Sequence, residues 1–361
     1  MTNLSPKHLP SKHVFITKPG NNVRLDPEDE YNHAPEPVAN FNESAYYNIY
    51  DGKQQVGGWL RIGNRVNEGY AEVSICLYLP GGRVGFIFHR SEIDTNEVLR
   101  AGGAEFKIIE PFKHQKVSYS GKILVLDNPH EMNDPGKAFK NNSLENCDID
   151  LDYRGLSPMY GGEHLNADGS PLELDTTIAM ARAHFEQHVS ASGSIRVGKE
   201  KWQIDGYGLR DHSWGPRYWQ NIYWYRWLPM SLGPDLGAMI MTMGMRDGSF
   251  DCGGMVFTEG RYDLIVDARV DSQWDENHYQ TGMTAWCKTE RGEEFEFTGK
   301  VISLIPLRNR RKAEDGTQLN TRITEAMTEY RCKGKIGYGL SEYLDQIEDG
   351  VPVGMGIAAA R

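Results

Sequence analysis

The chain has 361 residues, 50 acidic against 39 basic, for a formal net charge of -11. That balance argues against nucleic acid or an anionic membrane surface as the partner, because both select basic surfaces. Hydrophobic residues make up 39% and charged residues 25%, and no run approaches the roughly 18 apolar residues of a spanning helix, so a globular chain is expected.

The first residues, MTNLSPKHLPSKHVF, contain no apolar h-region. The five cysteines, Cys76, Cys147, Cys252, Cys287 and Cys332, form no CxxC or CxxH pair. Reduced, mostly buried thiols in a cytoplasmic protein are the expectation. Residues 1–40 carry Pro6, Pro10, Pro19, Pro27, Pro35 and Pro37 and read as an extended arm. Such an arm packs on a domain, stays loose, or contacts a second copy of the chain.

Strand patterning starts at Phe41. In AEVSICLYL, Val73, Ile75, Leu77 and Leu79 alternate with Glu72, Ser74, Cys76 and Tyr78, the period of a strand with one buried face. PGG at 80–82 turns the chain and RVGFIFH pairs back, a hairpin. RSEIDTNEVLRAGG is expected to hold a turn or two of helix before Gly102. The excursion DNPHEMNDPGKAFKNNS is expected to hold a short helix at 135–139, and YGGEHLNADGSP, 160–171, reads as a loop. From AHFEQHVSASGSIRV onwards, segments such as IYWYRWLPM, AMIMTMGMR and TRITEAMTEYRCKG continue as strands. There is no solenoid repeat and no low-complexity tract. The fold class is therefore mainly antiparallel β, built as barrels or sandwiches. Length suggests two domains, divided in the 160–171 loop or just after Gly215.

The chemistry concentrates in GYGLRDHSWGPRYW, 206–219. On a strand, Arg210, His212 and Trp214 share one face, and Leu209, Asp211 and Ser213 the other. His212 beside Arg210 and Trp214 suits an acid or base, because both neighbours disfavour the imidazolium. Arg217 suits a carboxylate or an oxygen of a substrate. The bland alternative is a buried ion-pair network of Arg210, Asp211 and Arg217 with Trp214 as a plug. HFEQH aligns His184, Glu186 and His188 on one face, as a polar cavity wall or a solvated face. Alternate positions on one strand lie about 7 Å apart, so a shared metal is not expected. IYWYRWL puts Tyr223, Tyr225 and Trp227 on one face, to pack a core or line an apolar cavity. GLSEYLDQI offers Glu342 as an inward carboxylate. There is no GxGxxG after a strand, no Walker A, no GxSxG and no zinc-finger spacing, so no cofactor is expected.

GWLRIGNRVNEGYAEVSICLYLPGGRVGF, DNPHEMNDPGKAF, HFEQH, GYGLRDHSWGPRYW and GYGLSEYL together resemble a bacterial family of uncharacterised proteins, over roughly residues 40–348. That family distantly resembles the carotenoid hydratase and kievitone hydratase superfamily through the DHxW pattern. The resemblance implies two tandem lipocalin-like β domains, 41–217 and 218–361, after an arm at 1–40. It implies cofactor-free addition or removal of water on a hydrophobic, isoprenoid- or steroid-like substrate at the domain junction. Relatives of this fold also include pericyclases. Asp211, His212 and Trp214 match the motif and carry the implied catalysis. Arg210, Arg217, Tyr223, Tyr225, His184, Glu186 and Glu342 are expected around the substrate. A non-catalytic carrier of apolar ligands and a homodimer are the remaining alternatives.

Overall fold

The computed structural model describes residues 14–15, 22–176, 179–218, 222–312 and 318–356. Its strands are β1 (Val14–Phe15), β2 (Asn22–Arg24), β3 (Phe41–Asp51), β4 (Val56–Arg65), β5 (Tyr70–Tyr78), β6 (Val84–Glu92), β7 (Leu99–Ala101), β8 (Ala104–Glu110), β9 (His114–Leu126), β10 (Leu144–Gly155) and β11 (Met159–Leu165). They continue as β12 (Ala183–Val197), β13 (Glu200–Pro216), β14 (Trp224–Ser231), β15 (Leu236–Gly244), β16 (Phe250–Thr258), β17 (Arg261–Trp274), β18 (Gln280–Thr289), β19 (Glu294–Lys312), β20 (Gln318–Cys332), β21 (Lys335–Glu348) and β22 (Val351–Pro352). The protein is mainly β, as its alternation requires.

β1 to β13 form one 13-stranded sheet in the order β1-β11-β12-β13-β3-β4-β5-β6-β9-β8-β7, with β10 pairing β9 and β12, and β2 pairing β11. β14 to β22 form a second sheet, in which pairing of β14 with β21 closes eight strands into a barrel. The β5–β6 hairpin forms as expected, with Ile75 opposite Ile87. A helix, α1 (Pro135–Asn141), also forms; Pro135 enters its first turn and Asp134 accepts a hydrogen bond from the Lys137 amide.

Two local expectations fail. No helix forms between Arg90 and Gly102: β6 runs to Glu92 and β7 pairs with β8. Asn96 there donates to the His33 carbonyl and accepts from Asn64, so tertiary hydrogen bonds override local helix propensity. Nor is 160–171 wholly a loop, because β11 occupies Met159–Leu165. Its Gly161, at φ +99°, lets β12 approach closely; a Cβ there would meet the His184 carbonyl oxygen at 2.3 Å.

Three apolar clusters organise these sheets. One fills the first sheet, with Tyr47, Leu60, Val73, Ile75, Leu77 and Ile149 among its members. Another fills the barrel, with Leu228, Ile240, Val256, Phe297 and Tyr343. The third lies between them, joining Tyr46, Trp59, Cys76, Tyr78 and Leu209 of the sheet to Tyr225, Trp227, Met327, Leu340 and Leu344 of the barrel. The polar-looking face of β5 is thus buried as well, Ser74, Cys76 and Tyr78 facing this junction. Four cysteines are buried and Cys252 is half-buried; none of the five forms a disulfide. No helix of the described residues is long and apolar enough to cross a membrane.

Candidate functional site at the sheet–barrel junction

The site is set by the antiparallel pairing of β12 with β13. Opposite residues are Ala183 and Trp214, His184 and Ser213, Phe185 and His212, Glu186 and Asp211, Gln187 and Arg210, His188 and Leu209. Alternation then sends His184, Glu186, His188, Asp211 and Ser213 to one face and Phe185, Gln187, Arg210, His212 and Trp214 to the other. Gly215 ends the run at φ +109°, where a Cβ would lie 2.6 Å from Arg182, so only glycine serves.

The second face is covered by the N-terminal arm. Arg210, fully buried, forms a bidentate pair with Glu30 at 2.5 and 2.8 Å and holds Gln187 at 2.9 Å. His212 Nε2 meets Glu43 Oε1 at 2.5 Å, and the same oxygen lies 3.1 Å from His33 Nδ1. The His33 ring stacks on Trp214 with centroids 3.8 Å apart. Burial disfavours a charged His33, but bonds to Asp29 and Glu43 outweigh it and raise its pKa to about 9. Burial likewise opposes Glu43 ionisation, and the two histidines overcome it, taking the carboxyl down to about 2. The donors of His33, Glu43 and His212 lie within 4.8 Å of one another, close enough to share an ion. Glu43 is already satisfied without one: its other oxygen accepts from the His33 amide and from Asn96.

The first face meets the barrel. Trp227 Nε1 of β14 donates to Glu186 Oε1 at 3.0 Å, while Glu186 Oε2 is buried without a hydrogen-bond partner. His184 Nε2 lies 3.6 Å from Asp211 Oδ2 and 3.9 Å from Glu186. His184 keeps 43% of its side-chain exposure and Asp211 20%, whereas Glu186 keeps none. The group is therefore approachable from the His184 side and dry beneath. Burial, with Asp211 nearby, raises the Glu186 carboxyl to about 7. Desolvation opposes the His184 imidazolium, but Asp211 and Glu186 prevail and raise its pKa. Arg217 Nη2 donates to Ser213 Oγ at 2.7 Å; burial and the nearby Arg61 lower this guanidinium to about 10.

From the barrel, Tyr225 donates its hydroxyl to Glu342, and Glu325 lies directly opposite Glu342 across the β20–β21 ladder. Burial pushes both carboxyls up, Glu342 to about 7. Tyr46 roofs this group, edge-on to Trp227 at 5.5 Å and stacked with Trp59 at 5.9 Å. The arrangement is a set of acids and one imidazole in an aromatic seam, suited to moving protons on a largely apolar molecule.

A family model described as a domain of unknown function, DUF7064, matches residues 26–347. The chain belongs to the DUF7064 family. No curated protein matches. Among solved structures, the fold is similar to that of a protein described as an AttH from Nitrosomonas europaea, at 11% identity and a TM-score of 0.58, over 92% of this chain and 99% of that one. It is similar also to CghA bound to Sch210972, at 10% identity and a TM-score of 0.52, over 87% and 94%. Kievitone hydratase from Nectria haematococca matches at 11% identity and a TM-score of 0.48, over 94% and 98%. The first two likenesses agree with the mainly β, lipocalin-like fold of this DUF7064 chain.

The structure brings together Asp211, His184, Glu186, Arg217, Tyr225 and Glu342, six of the residues singled out from the sequence. It separates them from Arg210, His212 and Trp214, which point to the arm because neighbouring strand residues alternate faces. Tyr223 sits apart too, bonded to Glu348 in an exposed pair at 3.0 Å. His188 is no solvated residue: it is buried between Tyr262 at 3.0 Å and the Met230 carbonyl at 3.1 Å, and burial lowers its pKa to about 4. Sequence reasoning passed over Glu325, Tyr46, Trp59, Glu30, Glu43 and His33. Glu325 did leave a signal, a carboxyl set between the apolar Ile323 and Met327 on one strand face.

Proposed function

We propose that this DUF7064 chain is a cofactor-independent enzyme of hydro-lyase or isomerase type. It acts by acid–base chemistry on a hydrophobic, isoprenoid- or steroid-like substrate at the sheet–barrel junction, in the cytoplasm. The observation that carries this reading is the convergence of Asp211, Glu186, Glu325 and Glu342, from two separate sheets, on an aromatic seam. A carboxylic acid stays protonated near neutral pH when desolvated, and aromatic faces stabilise a developing cation. In this reading Asp211 exchanges the proton with the substrate, and His184 fixes its charge and orientation. Arg217 and Tyr225 hold a polar substrate end, and Tyr46, Trp59 and Trp227 face the carbon skeleton. His212 and Trp214 act indirectly, by fixing β13 against the arm. The likeness in fold to CghA keeps a cyclase-type isomerase as the second reading, in which the aromatic walls impose shape.

The test is a panel of isoprenoid, steroid and polyketide alkenes and tertiary alcohols incubated in heavy-oxygen water, with products read by mass spectrometry. Label incorporation that Asp211→Asn abolishes supports a hydro-lyase. Rearrangement without label, on a flat pH profile, supports the isomerase. A complete lack of conversion by wild type, together with an apolar ligand retained through purification, overturns both in favour of a carrier.

A further inference from the structure

The register of β20 against β21 pairs Ile323 with Leu344, Glu325 with Glu342, and Met327 with Leu340. All six side chains share the barrel's outer face; Met327, Leu340 and Leu344 belong to the junction cluster and Ile323 packs against it. Two carboxyls are therefore opposed at the centre of an apolar patch. Directly opposite residues in an antiparallel pair have Cβ atoms about 4.5–5.5 Å apart, and like charges there repel. Among the described residues neither carboxyl forms an ion pair. Tyr225 donates to Glu342, whereas Glu325 Oε2 is buried with no hydrogen-bond partner. Two ionised carboxylates cannot persist in that setting, so one proton stays with the pair.

A second observation points to a ligand. Trp59, 4% exposed on the facing sheet, has an indole N–H with no partner. It stacks with Tyr46, whose hydroxyl lies in the fields of Glu325, Glu342 and Asp211. A buried N–H without an acceptor is costly, and an oxygen-bearing ligand in the seam would satisfy it.

We infer that Glu325 and Glu342 form a proton-sharing pair that serves as the catalytic acid, delivering its proton to an alkene carbon of a substrate whose oxygen accepts from Trp59. This inference rests on the reading of the junction as an acid–base site and assigns its proton source. In the hydration direction the Glu325 O–H bond breaks, a C–H bond forms, and the alkene electron pair leaves a cation on the neighbouring carbon. Water adds through oxygen, and its surplus proton passes to the Asp211 carboxylate. The net change is one water added, and solvent returns the proton from Asp211 to the pair between turnovers. Dehydration is the reverse sequence.

Infrared difference spectroscopy of the full chain tests the pair without any substrate. In a Glu186→Gln background, which removes the other carboxyl raised to about 7, the chain at pH 7 should show the carbonyl band of a protonated carboxyl, lost on adding Glu325→Gln and kept on adding Asp211→Asn. Absence of that band in the Glu186→Gln background overturns the pair even if turnover is found. Glu342→Gln, which keeps the Tyr225 hydrogen bond, removes the like charge and should move the alkaline limb of the pH–rate profile to lower pH. With a converted substrate in hand, Glu325→Gln should cut kcat about 10²–10⁴-fold at nearly constant KM. Unchanged kcat in Glu325→Gln, while Asp211→Asn is inactive, overturns the proton source and leaves the acid–base reading standing. Unchanged kcat in both variants removes that reading as well.

Discussion

The two faces of β13 carry the same kinds of side chain to opposite ends. Towards the arm, Arg210 meets Glu30 and His212 meets Glu43, and each charge is matched by a hydrogen-bonded partner. Towards the barrel, Asp211 and Glu186 flank a half-exposed His184, and Glu325 and Glu342 face each other with no ion pair among the described residues. Matched charges lock a structure, whereas crowded, desolvated acids store a readiness to exchange protons. A motif therefore cannot be assigned as one unit: on a strand, consecutive residues belong to different environments.

The largest effect that would break this contrast is at Asp211. Asp211→Asn should lower turnover about 10²–10⁴-fold, with a melting temperature near wild type by calorimetry. A large loss of stability instead would place Asp211 with the lock. Conversely, Arg210→Met leaves Glu30 buried and unpaired and should cost about 3–5 kcal/mol in urea unfolding. The double variant Glu30→Leu/Arg210→Met should recover most of that loss. The next effect sharpens the junction side. The folded Glu186 pKa lies above the ordinary 4.5, at about 7, so its stabilising effect is full below pH 4.5 and is lost as pH rises through 7. Glu186→Gln should thus gain up to about 3 kcal/mol at pH 8 and almost nothing at pH 4.5.

The arm gives a smaller, oppositely bounded response. His33 has its pKa raised, so its contribution is full below pH 6.5 and fades as pH rises through about 9. Glu43 has its pKa lowered, so its contribution is full above pH 4.5 and fades as pH falls through about 2. Amide protection of residues 26–36, taken relative to intrinsic exchange at each pH, should be greatest between about pH 4.5 and 6.5 and fall on either side. The smallest effect belongs to Tyr223→Phe, which removes an exposed bond to Glu348 and should change stability by under about 0.5 kcal/mol and turnover not at all.

The strand class, the β5–β6 hairpin, a short helix starting at Pro135 (expected to 139, running to Asn141) and the split of the RDHSW run into two faces were legible, because each depends on local pattern. What each face meets was not legible. Glu30 lies 180 positions from Arg210 and Glu43 lies 169 from His212, separations that no period or motif spans. The β5 face bearing Ser74, Cys76 and Tyr78 looked half-solvated because its cover comes from a separate sheet. Glu325 and Glu342 were visible only as single acids interrupting Ile323–Met327 and Leu340–Leu344. Their significance needed the register that sets them opposite each other.

The barrel turns its outside, not its inside, towards the junction. In its lumen Arg226 is held by Asp345 at 3.0 Å against Trp274 and Tyr343, beside a cavity of about 160 Å³ bounded by Trp224, Arg226, Trp274 and Gly354 and by none of the junction acids. Around the acid pair, residues 225, 227, 323, 327, 340 and 344 therefore form the barrel's share of the seam, on a frame fixed by their alternate neighbours. Volume-conserving substitutions there would reshape what the seam admits without touching the lumen, so selectivity can shift at a modest cost in stability.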